Sequence, residues 1–142
     1  MSQNYANHRR LVPMYHYVST LLALAILIGS IVNLVDAMGT AGLYSASLLV
    51  ANAVLAIAIL LFARIFALKA QDRAINAEEN LRNYARHGEL LDPRLTIRQI
   101  IGLRFAADDE YDELAKRALS ENLSETDIKK AIEHWRPDTY RA

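Results

Sequence analysis

The sequence predicts an all-α protein. It reads as a transmembrane helical hairpin whose second span continues into a cytosolic helix, followed by a small three-helix unit. Three observations carry that reading. Two long runs contain no charged residue and no alternation of period two. A short, glycine-bearing segment joins them. Beyond Lys69 the chain turns strongly charged and breaks into short segments, two of which open on a helix-capping signal.

The overall balance hides this division. The 142 residues carry 16 basic and 16 acidic side chains, 53% hydrophobic residues and no formal net charge. Residues 70–142 hold 12 of the basic and 15 of the acidic residues. That asymmetry argues against a plain soluble globule. No segment has the basic excess that a nucleic-acid binder needs to neutralise phosphates, so no nucleic-acid partner is expected. There is no cysteine, which removes disulfides, thiolate catalysis and cysteine-ligated metals.

Taken in order, residues 1–14 form an N-terminal cytosolic or interfacial segment. Residues 15–69 form the hairpin, with spans at about 15–35 and 43–68. At 1.5 Å per residue, roughly 20 helical residues cross a hydrocarbon core of about 30 Å, and both runs come near that length. A secretory signal is a poor alternative for the first, because its apolar core is too long and Val35-Asp36-Ala37 is a poor cleavage site. Between the spans, Gly39 and Gly42 allow the helix to stop and turn, so the two spans are expected to be antiparallel neighbours.

Lys and Arg set the expected orientation. Arg9 and Arg10 precede the first span, Arg64, Lys69 and Arg73 follow the second, and the turn has none. The expectation is a multi-pass protein of the cell inner membrane with both termini cytoplasmic. Tyr5, His8, Tyr15, His16 and Tyr17 join Arg9, Arg10, Arg64 and Lys69 as expected membrane-interface residues, with Tyr44 at the far surface.

Polar residues within the spans are few. Folding the hairpin about Gly39 brings Asn33 level with Ser45, and Asn52 level with Ile26 near mid-bilayer. An amide there seeks a partner that lipid does not offer. Two readings stay open: a bond within the hairpin, to a carbonyl or to Ser30, or a bond to another copy. Gly29, Ser30, Asn33, Ser47, Ala51, Asn52 and Ala58 are the expected helix–helix contact residues. No ionisable residue lies in the middle of either span, which weighs against a pump or transporter.

Residues 70–88 read as a helical extension with a modest apolar stripe of Ala74, Ala77, Leu81 and Tyr84, ended by Gly88. Residues 89–142 read as a small helical cytosolic domain with helices near 96–105, 109–121 and 125–135. Thr96–Gln99 has the capping-box pattern, Ser124–Asp127 repeats it with Asp for Gln, Asp108 offers a cap, and Pro137 is a stop. The expected core is Ile100, Phe105, Leu114, Ile128, Ile132 and Trp135, with the indole of Trp135 as its largest contributor. Alone, such a unit is marginal, so it is expected to lean on the long helix, the membrane or another subunit.

Candidate chemistry is sparse. Asp108, Asp109, Glu110, Asp112 and Glu113 cluster at a helix start, where consecutive side chains diverge rather than converge on a cation; the helix dipole explains acids there. His8 and His16 flank the expected membrane surface, and haem ligation between two copies is weighed against histidine at an interface without any group. No phosphate loop, zinc spacing or nucleophile motif is found. No enzyme activity and no cofactor are expected.

The stretch Gln3-Asn4-Tyr5-Ala6-Asn7-His8, with Pro13-Met14-Tyr15-His16, Leu91-Asp92-Pro93-Arg94-Leu95-Thr96-Ile97-Arg98-Gln99, Leu103-Arg104-Phe105-Ala106 and Trp135-Arg136-Pro137-Asp138, resembles a family of small uncharacterised bacterial two-span membrane proteins. The resemblance covers nearly the whole chain. It implies a two-span hairpin, a helical cytosolic tail and a bacterial source, and no catalytic residue. From the residues alone, the N-terminal stretch is either an interface anchor or a strip docked on the C-terminal helices. The leading functional expectation is a non-enzymatic interaction or scaffold protein, partnered by the bilayer and by a second copy or another protein. The alternative is a homo-oligomeric pore or transport accessory subunit.

Overall fold

The computed structural model describes residues 3–8 and 11–138. Its described residues are helical, with one isolated antiparallel bridge, Ala106 to Trp135, and no strand. A π-helical turn over Met14–Ser19 leads into α1 (Thr20–Asp36). Then come α2 (Leu43–His87), α3 (Ile97–Leu103), α4 (Asp108–Ser120) and α5 (Glu125–Ala131). The chain divides into two compact units, Leu11–Ala67 and Met1–Arg10 with Leu68–Ala142. The N-terminal segment thus belongs to the unit formed by the C-terminal half.

In the first unit, Gly39 takes a φ of +75°, which suits a residue without Cβ at the α1–α2 turn. Ala23, Ser30, Ala46 and Ala53 are the buried residues of this unit, and large apolar side chains point outward along both helices. Small side chains at Ala46 and Ala53, seven residues apart, form the buried face of α2.

In the second unit, Thr96 and Gln99 form a complete capping box: the Gln99 amide donates to the Thr96 hydroxyl, and the Thr96 amide donates to the Gln99 side chain. At α5, the Ser124 hydroxyl accepts from the Asp127 amide. Gly88 ends α2 with a φ of +77° and donates to the Tyr84 carbonyl. The core gathers Ile75, Leu95, Ile100, Ile101, Leu103, Phe105, Tyr111, Leu114, Ala118, Ile128 and Ile132.

Several expectations change. α5 ends at Ala131, not near 135, because Ile132 turns extended and the following residues pair with the α3–α4 loop. The Ala107 amide donates to the His134 carbonyl at 2.9 Å, and the Arg136 amide to the Phe105 carbonyl at 2.7 Å. Asp108 is the first residue of α4 rather than its cap. Trp135 is only half-buried; the largest fully buried side chains are Tyr111 and Phe105. On α2, Ile75 and Glu79 are buried, whereas Ala74, Ala77, Leu81 and Tyr84 stay exposed. The packed face of the helix is therefore not its apolar stripe, because Arg82 and Arg86 answer the acids of α4 and Glu79 answers Arg82 and Arg136.

Candidate functional site

The N-terminal motif is a strap on the second unit, and each of its polar residues has a separate task. The Gln3 side chain receives the Asp138 amide at 2.7 Å and donates to the Asp138 carbonyl at 3.4 Å, as a neighbouring strand would. Asn4 and Asn7 close a turn reciprocally: the Asn7 side chain accepts from the Asn4 amide, and the Asn4 side chain from the amides of Ala6 and Asn7. Tyr5 stacks on His8, with ring centroids 5.6 Å apart. The His8 ring meets Phe105 edge-on at 5.9 Å and Trp135 at 5.8 Å. Of the two readings of this stretch, the structure takes the docked strip. Of the two expected membrane-interface residues here, His8 rests on the aromatic pair that the Ala106–Trp135 bridge brings together, and Tyr5 stacks on His8.

Below the strap lies an ionic lattice. The Glu79 carboxylate is buried and receives Arg82 at 3.1 Å and Arg136 at 3.4 Å. Arg82 also donates to Asp108 and to the Ala106 carbonyl, and its guanidinium lies 4.4 Å over the Tyr111 ring. Burial pushes the Arg82 pKa down, but its bond to Asp108 and the charges of Glu79 and Asp108 outweigh this and leave it raised. The same bond holds the Asp108 carboxyl below the usual range. Burial and then the Glu79 charge push the Tyr111 hydroxyl up. Arg86 pairs with Asp112 at 2.8 Å, Arg104 with Asp138 at 3.2 Å, and His134 with Asp109 at 2.6 Å. The bond to Asp109 raises the His134 pKa. Glu110 accepts the amides of Glu133 and His134. Four of the five acids at the start of α4, Asp108, Asp109, Glu110 and Asp112, are therefore dispersed among partners on α2 and on the C-terminal segment. Beside it, Leu91, Leu95, Tyr111, Ala115 and Leu119 line a cavity of about 310 Å³ with His87, Asp112 and Lys116 at its edge.

In the first unit, a groove of about 440 Å³ is lined by Ile26, Gly29, Ser30, Asn33, Leu49, Asn52, Ala53 and Ala56. Ser30 is buried and donates to the Ile26 and Leu27 carbonyls of its own helix. Asn33 and Asn52 are exposed to this groove, and among the described residues neither side chain makes a hydrogen bond. Ser47 and Ala51 are exposed and Ala58 half-buried, on a face of α2 away from Ala46 and Ala53. The Tyr15 hydroxyl donates to the Leu60 carbonyl, and His16 Nδ1 lies 3.0 Å from the Val12 amide. Tyr17, Tyr44 and Lys69 are exposed and Arg64 half-buried; Arg9 and Arg10 lie outside the described residues. In the second unit, Ile100, Phe105, Leu114, Ile128 and Ile132 are buried.

Sequence reasoning passed over Glu79, Arg82 and Gly102. A Cβ on Gly102 would stand 3.1 Å from Ile128 Cγ2 and 3.2 Å from the Glu125 carbonyl, so α3 and α5 cross where only glycine fits freely. Glu79 and Arg82, three residues apart on one helix, were a pairing signal available in the sequence.

Comparison with known proteins returns a family of unknown function, DUF6526, matched over residues 1–142. The chain belongs to the DUF6526 family. No curated protein and no solved structure matches it.

Proposed function

We propose that this DUF6526 protein is a bacterial inner-membrane protein that crosses the bilayer twice, keeps both termini in the cytoplasm and acts through its helical unit as a non-enzymatic scaffold. The observation that carries the membrane reading is the apolar surface of the two long helices. Only 6% of the apolar window in Met14–Asp36 and 11% of that in Leu43–His87 is buried, and Leu21, Leu22, Ile28, Leu55, Ile59 and Phe62 point outward. The core helix of a soluble protein would bury such a window. Lipid is the solvent in which this surface costs nothing. Orientation follows from Arg9, Arg10, Arg64 and Lys69 flanking the spans on one side.

The scaffold reading is supported by how the second unit uses its charges. Glu79, Arg82, Arg86, Asp108, Asp109, Glu110 and Asp112 are all engaged in holding α2, α4 and the C-terminal segment together. Of these, Asp112 borders the cavity of about 310 Å³, and there Arg86 and His87 engage both of its oxygens.

The chain has no cysteine, so single cysteines report topology cleanly. In intact cells, an impermeant thiol reagent is expected to label Thr40→Cys and to spare Ser120→Cys until the membrane is opened. Recovery of the protein in the soluble fraction after alkaline extraction, or labelling of Ser120→Cys alone, overturns this reading.

A further inference from the structure

We infer that the strap is a separable peptide ligand. Its seat on the second unit is a recognition site for a peptide with the Gln-Asn-Tyr-x-Asn-His pattern, and the strap closes that site in cis as a latch. The first observation is that the strap brings its own fold. The Asn4 and Asn7 side chains accept from amides within the stretch, and His8 Nδ1 donates to the Tyr5 carbonyl at 2.6 Å. A segment shaped by its own bonds keeps that shape when it leaves its seat, and it loses little entropy on returning.

The second observation is the seat, which has a polar and an aromatic part. The polar part is the main chain of Asp138. Its amide and its carbonyl both meet the Gln3 carboxamide, which carries a donor and an acceptor as a peptide group does. The aromatic part is the Phe105–Trp135 pair, with ring centroids 5.2 Å apart, against which the His8 ring lies at 5.9 and 5.8 Å. Lys130 stands 5.9 Å from the Tyr5 ring beside it. The unit holds both parts with bonds of its own: the Arg136 amide to the Phe105 carbonyl, the Ala107 amide to the His134 carbonyl, and Arg104 to the Asp138 carboxylate. The seat is therefore built before the strap arrives. The Asn4–Asn7 turn sets the spacing that delivers a carboxamide to one part and an imidazole to the other.

A ligand on a short tether acts at about millimolar effective concentration. An untethered Kd of roughly 0.1 mM then keeps the latch shut about nine-tenths of the time, closed yet open to competition. The inference gives the scaffold reading a partner class, a peptide, and rests on it to that extent. It concerns the second unit alone. Labelling of Thr40→Cys and Ser120→Cys reads topology, so the membrane reading and this one fail separately.

The test uses the full chain in detergent and two variants with the latch undone, one lacking residues 2–8 and one carrying Gln3→Ala with His8→Ala. The probe is a synthetic peptide of residues 2–10, dye-labelled for anisotropy and unlabelled for emission from Trp135, the single tryptophan. Both variants are expected to keep the cooperative unfolding of the tail and to show red-shifted Trp135 emission. The peptide is expected to bind them saturably at roughly 0.1 mM, to restore the emission, and to bind wild type about tenfold more weakly. Peptides with Gln3→Ala or His8→Ala are expected to bind at least about threefold more weakly than the parent. A folded variant that takes up no peptide overturns the inference. So does equal binding of the parent and His8→Ala peptides, or equal binding of the parent peptide to wild type and variants. Loss of cooperative unfolding in both variants makes the strap part of the core and overturns it as well.

Discussion

The two units satisfy their polar groups in opposite ways. In the C-terminal unit, ionic side chains on α2 reach across to other elements, and Glu79, Arg82, Arg86 and Arg104 each meet a carboxylate or guanidinium. In the hairpin, the serine hydroxyls bond back to nearby carbonyls, as Ser30, Ser45 and Ser47 do, the Tyr15 hydroxyl reaches the Leu60 carbonyl, and two amides are left facing a groove. On the membrane reading proposed above, the difference follows from solvent. In water the burial of apolar area holds a unit together, and polar networks then specify its arrangement. Between apolar helices in lipid that drive is lost, so close packing of small residues and a few hydrogen bonds decide what meets what.

This contrast sets the expected size of mutational effects. The largest is Phe105→Ala, which removes a fully buried ring beneath the strap and beside Trp135. A loss of about 3–5 kcal/mol is expected from chemical denaturation of the tail, followed by the fluorescence of the single tryptophan. Trp135→Phe, followed by circular dichroism because it removes that reporter, is expected to cost less because the side chain is only half-buried. Leu22→Ala, on the outward surface of α1, is expected to leave the tail transition in place; a comparable loss would mean that the two units do not unfold separately.

Next comes the lattice. Arg82→Ala leaves Glu79 buried with only the more distant Arg136, and a cost of about 3 kcal/mol is expected. Arg136→Ala removes a half-exposed partner and is expected to cost less than about 1 kcal/mol. Equal effects would show that Glu79 is held by both arginines alike. Gly102→Ala sharpens the packing side of the comparison. Its methyl meets a carbonyl and a branched side chain, neither able to withdraw easily, and about 1–3 kcal/mol of destabilisation is expected in thermal unfolding.

The smallest expected effect is on pH dependence. The Asp108 carboxyl is held below its ordinary value of 3.8 by the bond from Arg82. A depressed folded-state pKa gives stability that is present above 3.8 and lost as pH falls through the folded value. His134 runs the other way: its pKa lies above 6.5, so its contribution is full below 6.5 and fades as pH rises past the folded value. Asp108→Asn is expected to flatten the acid side of a Tm-against-pH curve, and His134→Gln the side above pH 6.5. Both groups are exposed, so the changes are modest.

The sequence by itself determined the helical class, the two apolar helices, the turn at Gly39, the capping box at Thr96–Gln99 and much of the small core. All of these are local: they depend on periodicity, capping chemistry and the backbone freedom of glycine, which neighbouring residues settle among themselves. It also marked the Gln-Asn-Tyr-x-Asn-His stretch without giving its task. Only the tertiary structure decided that this stretch is a strap, because Gln3 and Asp138 meet at a sequence separation of 135. Tertiary structure likewise chose Tyr111 over Trp135 for the centre of the core, ended α5 early by pairing its exit with Phe105, and turned the charged rather than the apolar face of α2 inward. Hydrophobic periodicity tells which face of a helix is apolar. Which face is covered depends on what the rest of the chain brings to it, and here the acids of α4 brought a better match for Arg82 and Arg86 than any apolar surface offered to Leu81.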